Sequence, residues 1–460
     1  MIRINTQLKP EELTKKLEKF WTVSAEKIRL IQKDYDDSNG SPVFTVNGKY
    51  TSRGWTEWTQ GFQFGSAILQ FDATHDSYFL DSGKKEILER MAHHISHMGV
   101  HDHGFNNIST YGNLLRLMNE GIIPFNAWEK SYYELALRIS GAVQANRWTK
   151  IRDGGFIYSF NGPHSLFVDT LRSIRILMTS HLLGHSLKTE NDASVSLLER
   201  AVEHIESTAR YSVYYGEGRD QYDTRGRTAH ETLFNTIDGS YRCPNSQQGY
   251  SGFTTWTRGL AWAMLGFSEQ LELFDQLRIA RLIDKADKLD LEDIMMRAAR
   301  ATCDFYVENT PSDGIPYWDT GAPDLHNLGD YLDRPADPFN EFEPVDSSAA
   351  SIAAQGLLRL GNYLRLKGKL KEADVYWQAG LTVLNTLFGD PYLNKDSRHQ
   401  GLILHSIYHR PNGWDHIPEG RKSPCFESSM WGDYHAREAA LYLQRIINKE
   451  KYYTFFTGLI

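Results

Sequence analysis

Residues 248–274 read Gln-Gly-Tyr-Ser-Gly-Phe-Thr-Thr-Trp-Thr-Arg-Gly-Leu-Ala-Trp-Ala-Met-Leu-Gly-Phe-Ser-Glu-Gln-Leu-Glu-Leu-Phe. From Gly259 onward, Leu260, Met264, Phe267 and Leu271 recur at i, i+4, i+7 and i+11, the spacing of one face of a buried α-helix. Gly259, Ala261 and Ala263 carry little bulk, so neighbouring backbones can approach closely. Arg258 and Trp262, four apart, share a different face. With Gln248 just upstream, a planar cation beside an indole suits an anionic sugar ring. The same pair equally suits an arginine stacked on a tryptophan at the edge of a core.

The helical period continues on both sides of this stretch. Pro10, followed by Glu11 and Glu12, opens a first helix carrying Leu13, Leu17, Phe20, Ile28 and Ile31 on one side. Further helices are expected near 60–73, 84–98, 108–119, 126–145, 165–185, 193–212, 254–274, 290–308, 347–366, 370–388 and 432–448. Strand-like alternation is confined to short pieces such as 153–160 and 229–236. Long loops rich in Gly, Pro, aromatic and polar residues fall at 40–57, 99–107, 146–164, 213–253, 309–346 and 389–431. No literal repeat and no low-complexity linker divides the chain. About twelve helices, with long loops gathered on one side, predict an all-α closed α/α toroid formed by residues 1–460 as one domain, with function at the loop end. An open solenoid is the alternative, and it lacks the repeat period it needs.

Of 460 residues, 41% are apolar, enough for a core that needs no disulfide or metal staple. Aromatics reach 12%, which suits a ring-lined cleft as well as a large helical core. The formal net charge of −8, without any Lys/Arg tract, argues against nucleic acid and anionic membranes as partners. Cys243, Cys303 and Cys425 lie far apart and form no CxxC pair, so neither a disulfide framework nor a thiolate zinc site is expected. The first residues lack a signal-peptide core and no apolar run approaches membrane-spanning length. A cytoplasmic protein, monomer or homo-oligomer, is the expectation.

Several residues are candidates for chemistry. Asp102 lies in His101-Asp102-His103-Gly104-Phe105, placed by the pattern just past a helix end, where Gly104 supplies a permissive backbone. Asp169 follows Leu166, Phe167 and Val168 at a helix start. Such apolar flanks desolvate a carboxyl and raise its pKa, as a general acid needs, although an acid at a helix N-terminus is also simply favoured by the dipole. His93, His97 and His101 fall at i, i+4 and i+8, but no HExxH is present and His101 falls where the helix ends, so no metal is expected. No GxSxG elbow, P-loop or GxGxxG appears in a strand–turn–helix context. Ser347 and Ser348, after Asp346, read as a helix cap or as a helix start able to receive a carboxylate. Trp55 and Trp58 suit a sugar platform or a core edge.

In order and spacing these segments resemble the unsaturated glucuronyl hydrolases of glycoside hydrolase family 88. The resemblance runs through Trp58-Thr59-Gln60-Gly61-Phe62, residues 101–105, Val168-Asp169, His230 eighteen positions before Gln248, residues 256–262, Tyr317-Trp318-Asp319, Asp346-Ser347-Ser348-Ala349 and Trp431-Gly432-Asp433-Tyr434. It implies a six-fold (α/α) barrel with no metal or other cofactor. It also implies a substrate with a 4,5-unsaturated uronic acid at its non-reducing end, left by a polysaccharide lyase. Such an enzyme hydrates the vinyl ether. On the resemblance, Asp169 protonates C4 and activates the water that adds at C5, while Asp102 stabilises the developing charge. Trp58, His230, Gln248, Arg258 and Trp262 form the substrate walls, and Ser347 and Ser348 lie in a region that reaches the uronate carboxylate or a sulfate. One carboxyl must begin protonated and the other ionised, which a half-buried pair can achieve. The rule linking carboxyl separation to stereochemistry does not apply, because the anomeric carbon is not where bonds first change.

The chain departs from the family pattern at Phe160, where a Trp is usual, at Gln63 and at Leu260, positions that bear on the +1 sugar, its linkage and its sulfation. The segment 213–229, dense in both charge signs, reads as a solvated loop. Two other functions remain to be separated. One is the related unsaturated rhamnogalacturonyl hydrolase of family 105, with the same barrel and chemistry. The other is a non-catalytic carbohydrate-binding toroid, against which the retained Asp102 and Asp169 argue.

Overall fold

The computed structural model describes residues 1–54, 57–280 and 289–460. Trp55 lies outside the described residues. In chain order the main helices are α1 (Thr14–Asp34), α2 (Gln60–Thr74), α3 (Ser77–Arg90), α4 (His103–Asn107, a π-helical turn Ile108–Gly112, and Asn113–Asn119), α5 (Ala127–Asn146), α6 (Thr170–Ser173 and Arg175–Leu182), α7 (Leu197–Tyr211), α8 (Thr257–Ile279), α9 (Leu289–Glu308), α10 (Ser347–Leu366), α11 (Leu370–Leu387) and α12 (Met430–Ile447). The even-numbered helices form an inner ring in which each packs on the next and α12 closes on α2. The odd-numbered helices cover that ring from outside. The fold is the expected six-fold α/α toroid.

The difference between the rings follows from composition. In α8 the residues from Thr257 to Phe274 are buried without interruption, mostly apolar and small side chains with Arg258, Glu269, Gln270 and Glu272 buried among them. Close contact follows: a Cβ at Gly356 of α10 would stand 2.9 Å from the backbone nitrogen of Leu265 in α8. Outer α7, by contrast, buries one stripe, including Leu197, Ala201, Ile205 and Thr208.

The expected helix near 84–98 instead starts at Ser77, where the Asp76 side chain accepts from the Tyr78 backbone nitrogen, and stops at Arg90 before a separate turn at Ala92–Ile95. His93, His97 and His101 therefore do not share one helix face. The apolar run expected to begin a helix at 165 is a strand, Ser165–Phe167, antiparallel to Glu231–Phe234, which pairs in turn with Tyr241–Asn245.

Charged residues cluster along the barrel axis, and every inner helix contributes. Arg172 of α6 lies 2.5 Å from Glu269 of α8 and 2.8 Å from Glu438 of α12. Arg359 of α10 pairs with Glu272 of α8 at 2.5 Å, and Asp72 of α2 accepts from Arg116 of α4 and Arg445 of α12. The C-terminal tail seals this end: Tyr453 is fully buried, its hydroxyl donates to Glu438 and its carbonyl accepts from Arg359. Removing one partner of such a network leaves an uncompensated buried charge. Glu438→Gln is therefore expected to lower unfolding free energy by about 3–5 kcal/mol, read by chemical denaturation; a change below about 1 kcal/mol would show that the network carries little of the fold.

Candidate active site

The opposite end of the barrel holds the N-termini of the inner helices, and aromatic contacts and ion pairs run round it. Trp58 stacks on Trp431 at 5.1 Å and packs on Phe105 at 6.1 Å. Phe105 meets Trp262 at 4.9 Å, Arg258 meets Asp346 at 3.0 Å, and Trp431 Nε1 donates to Ser348 Oγ at 3.0 Å. Helix N-termini carry partial positive charge, so their convergence favours an anionic ligand. Between them opens a narrow cleft lined by Trp58, Val100, His101, Asp102, Phe105, Phe160, Asp169, Gln247, Gln248, Trp256, Arg258, Trp262, Tyr408, His409 and Trp414. A second, more open groove lies at the sealed end between α1, α2, α3 and α12, and no buried carboxylate lines it.

Asp102 and Asp169 meet because α4 and α6 touch. A Cβ on Gly104 would stand 1.8 Å from the Ser173 carbonyl oxygen, so only glycine permits the approach. Gly104 N donates to Ser173 Oγ at 3.0 Å, and that hydroxyl donates to the His101 carbonyl at 2.6 Å. Gly104 is thus a helical contact residue instead of a permissive turn, and Asp102 precedes a helix start instead of following a helix end. Asp169 also precedes a helix start, separated by Val168 from strand Ser165–Phe167.

His101 lies between the two carboxyls. Its Nε2 is 3.5 Å from Asp169 Oδ1 and 3.8 Å from Asp102 Oδ1. The ring stacks on Phe160 at 5.9 Å and meets the edge of Phe167 at 5.6 Å. Burial pushes the Asp102 pKa up from 3.8 against the opposing pull of His101. Burial acts on Asp169 in the same sense, but the contact with His101 and the nearby His230 outweigh it and hold Asp169 below 3.8. This reverses the expectation drawn from the apolar flanks of Asp169: a neighbour from another segment overrides the desolvation.

His230 lies behind the wall. Its Nδ1 accepts from the backbone nitrogens of Gln247 and Gln248, at 3.0 and 3.2 Å, which orients Gln248. Burial lowers its pKa to about 4, so the ring is neutral and its hydrogen sits on Nε2. Arg258 is a brace. Its Nη1 donates to Asp346 Oδ2 and the Ile407 carbonyl, and its Nη2 donates to Gln248 Oε1 at 2.8 Å and the Tyr408 carbonyl at 2.7 Å. The guanidinium sits between the Trp256 and Trp431 rings, at 4.6 and 4.8 Å. Of the two arrangements open for Arg258 and Trp262, the core-edge cation belongs to Arg258, stacked on these other rings, while Trp262 faces the cleft.

Ser347 and Ser348 do not line the cleft. Ser347 N donates to the His405 carbonyl, and Asp346 caps α10, its Oδ1 accepting from the Ser348 backbone nitrogen and hydroxyl at 3.0 and 2.5 Å. Both are fully buried, so the expected reach to a carboxylate or sulfate is not available to them. Of the three departures, Phe160 alone lines the cleft. Leu260 is in the core, and Gln63 donates to Asp37 away from it. The charges of 213–229 pair within the segment, Arg219 with Asp220 at 2.7 Å and Arg227 with Asp223 at 2.6 Å, or with α9, Arg225 with Asp304 at 2.7 Å and Glu217 with Arg297. None of them lines the cleft.

Sequence reasoning assigned no site role to His101, Tyr408, His409 or Trp414. For His101 the signal was its place beside Asp102. The other three belong to a long aperiodic loop, shaped where buried Asp415 accepts from the backbone nitrogens of Tyr408 and His409 at 2.5 and 3.2 Å. Among the described residues no group of three or more His, Cys, Asp or Glu is placed to hold a metal ion.

No family model matches the chain. It is 25% identical over 396 residues to an unsaturated glucuronyl hydrolase of Formosa agariphila, covering 85% of this chain and 81% of that protein. It is 25% identical over 419 residues to an unsaturated glucuronyl hydrolase of a Bacillus species, covering 89% and 90%. An unsaturated chondroitin disaccharide hydrolase of Streptococcus agalactiae matches at 23% over 447 residues, covering 95% and 92%. Among solved structures, the unsaturated glucuronyl hydrolase of Bacillus sp. GL1 superposes with a TM-score of 0.66 at 21% identity, over 93% of this chain and 97% of that one. An unsaturated glucuronyl hydrolase described as specific for heparin superposes with a TM-score of 0.70 at 19% identity, over 95% and 98%. These superpositions establish the shared fold.

Gly104→Ala is expected to destabilise the protein by about 1–3 kcal/mol and to lower kcat by separating α4 from α6. Wild-type stability in denaturation would refute the close contact. Arg258→Lys keeps the charge but loses the fork. Several buried acceptors lose a donor, so a loss of about 1–3 kcal/mol is expected in the same measurement.

Proposed function

We infer that this chain, a member of the unsaturated glucuronyl hydrolase family, is a glycosidase that removes a 4,5-unsaturated uronic acid from the non-reducing end of lyase-generated oligosaccharides by hydrating the C4=C5 vinyl ether. The observation that carries this reading is the pair of buried carboxyls, Asp102 and Asp169, driven in opposite pKa directions in one aromatic-walled cleft. Hydration of a vinyl ether needs a proton for C4 and a base for the water that adds at C5, and two carboxyls whose proton affinities are driven apart can divide those tasks.

On this reading Asp102, which holds its proton more tightly, is the donor to C4. Positive charge then develops across C5 and the ring oxygen. The Asp169 carboxylate takes a proton from water as its oxygen bonds to C5. The hemiketal opens by cleavage of the bond between C5 and the ring oxygen, leaving a hemiacetal at C1 that expels the remaining sugar. These roles exchange those implied by the resemblance, and the cause is His101 beside Asp169. Trp58, Trp262 and Phe160 supply ring faces for the sugar. Gln248, whose oxygen is held by Arg258, presents its amide nitrogen. The convergent helix N-termini favour the uronate carboxylate.

The test is the loss of ultraviolet absorbance of the unsaturated uronate, using lyase-generated oligosaccharides from glycosaminoglycan, gellan, xanthan, ulvan and pectin. Wild type should consume at least one, and Asp102→Asn and Asp169→Asn should each lower kcat by about 10²–10⁴-fold. Activity requires Asp102 protonated and Asp169 ionised. Its acid limb therefore belongs to Asp169, below the ordinary 3.8, and its alkaline limb to Asp102, above it. Residual activity of Asp102→Asn should lose the alkaline limb, and that of Asp169→Asn the acid limb. The opposite pattern would restore Asp169 as the acid. Unchanged absorbance across the whole panel would favour a carbohydrate-binding toroid.

A further inference from the structure

Two loops supply parts of the cleft wall: the turn 159–165, which carries Phe160, and residues 245–250, which carry Gln247 and Gln248. Glu231, 1% exposed at the start of strand Glu231–Phe234, accepts hydrogen bonds from both. Its Oε1 accepts from Ser165 Oγ at 2.5 Å and from Asn161 Nδ2 at 3.0 Å, and its Oε2 accepts from Asn245 Nδ2 at 2.6 Å. All three donors are neutral, which is a costly way to hold a buried carboxylate. A costly group of this kind is expected where it serves a site.

The carboxylate also sets the direction of a chain of hydrogen bonds through the turn. Ser165 has one hydroxyl hydrogen and gives it to Glu231, so in its 2.6 Å contact with Ser159 Oγ it is the acceptor. Ser159 therefore donates to Ser165, and its own oxygen accepts from the Asn161 backbone nitrogen at 3.1 Å. Phe160 lies between Ser159 and Asn161, so bonds on both sides of it end on Glu231. The other loop is gripped along its length. Glu231 holds Asn245, the neighbouring His230 holds the Gln247 and Gln248 nitrogens, and Asp319 Oδ2 accepts from the Tyr250 nitrogen at 2.8 Å.

We propose that Glu231 is a positioning residue that straps these two loops together, fixes the Phe160 ring relative to the Gln248 amide, and so determines which sugar is accepted beside the unsaturated uronate. A sugar offers an apolar face to a ring and hydroxyl edges to an amide, so selection among sugars depends on how the two are spaced and angled. Glu231 does not line the cleft and acts only through the loops. In Glu231→Ala three donors lose their common acceptor. In Glu231→Gln the new oxygen still accepts from the turn, and Asn245 can rotate its amide to face the new NH₂ group, so most of the strap is kept.

The inference rests on the hydratase reading and deepens it at the same cleft. With the lyase-generated panel, Glu231→Ala should raise KM for the best substrate by about tenfold, with kcat within about threefold of wild type. Its preference for that substrate over the other members should shrink. Glu231→Gln should bring KM back to within about threefold of wild type. In amide hydrogen exchange, 159–165 and 245–250 should lose protection together in Glu231→Ala while α8 and α12 keep theirs. Unchanged KM and preference, an equal fall of kcat for every substrate, or loss of protection throughout the protein overturns the proposal. Should Glu231→Ala fail to fold, Asn161→Ala and Asn245→Ala each release one loop and should each raise KM by about two- to fivefold; unchanged KM in both overturns it. Failure of wild type to consume any unsaturated uronide would instead reject the hydratase reading, while the exchange pattern still reports whether Glu231 straps the loops.

Discussion

The missing side chain at Gly104 sets the geometry on which the cleft depends. Because α4 can press its backbone against the Ser173 carbonyl of α6, the starts of two inner helices lie together, and the acids before each helix share one imidazole. Ser173 ties the arrangement at a second point, since its hydroxyl receives from Gly104 and donates to the His101 carbonyl. A methyl group in this gap would act on the chemistry as well as on packing.

The two ends of the barrel divide the work between stability and function. At one end, charges on all six inner helices pair with one another beneath a buried C-terminal tail, and breaking such pairs is costly. At the other end the same helices present N-termini, rings and two carboxyls with incompletely satisfied atoms. Asp169 Oδ1, both ring nitrogens of His101 and Nε2 of His230 lack hydrogen-bond partners among the described residues. Unsatisfied buried polar atoms of this kind are expected where a ligand completes the bonding.

Electrostatics in the cleft are set by distance through space. Asp102 and Asp169 experience similar burial, yet they move in opposite directions because His101 approaches Asp169 more closely and His230 adds to it. Arg258 makes the complementary point. Its charge is consumed by Asp346, two carbonyls and Gln248, so it shapes the wall by holding the 407–408 backbone and the Gln248 amide in place.

The sequence by itself determined the helices, their number, the loop-bearing end and the two acids, because helical period and cap residues are local properties. Leu260, Met264, Phe267 and Leu271 marked α8 without reference to anything outside it. It misplaced Ser165–Phe167, whose apolar run pairs with a strand more than sixty residues later and carries no helical information of its own. Only the tertiary structure decided which way each acid's pKa moves, that Arg258 is a brace, that Ser347 and Ser348 are buried in the first turn of α10 behind the Asp346 cap, and that Tyr408, His409 and Trp414 line the cleft. Most depend on a partner distant in the chain: His101 for Asp169, Asp346 for Arg258, and Arg258 for the 407–408 backbone, which Asp415 shapes from within its own loop. Periodicity records which face of a segment is buried, whereas protonation and ligand contact depend on what that face meets.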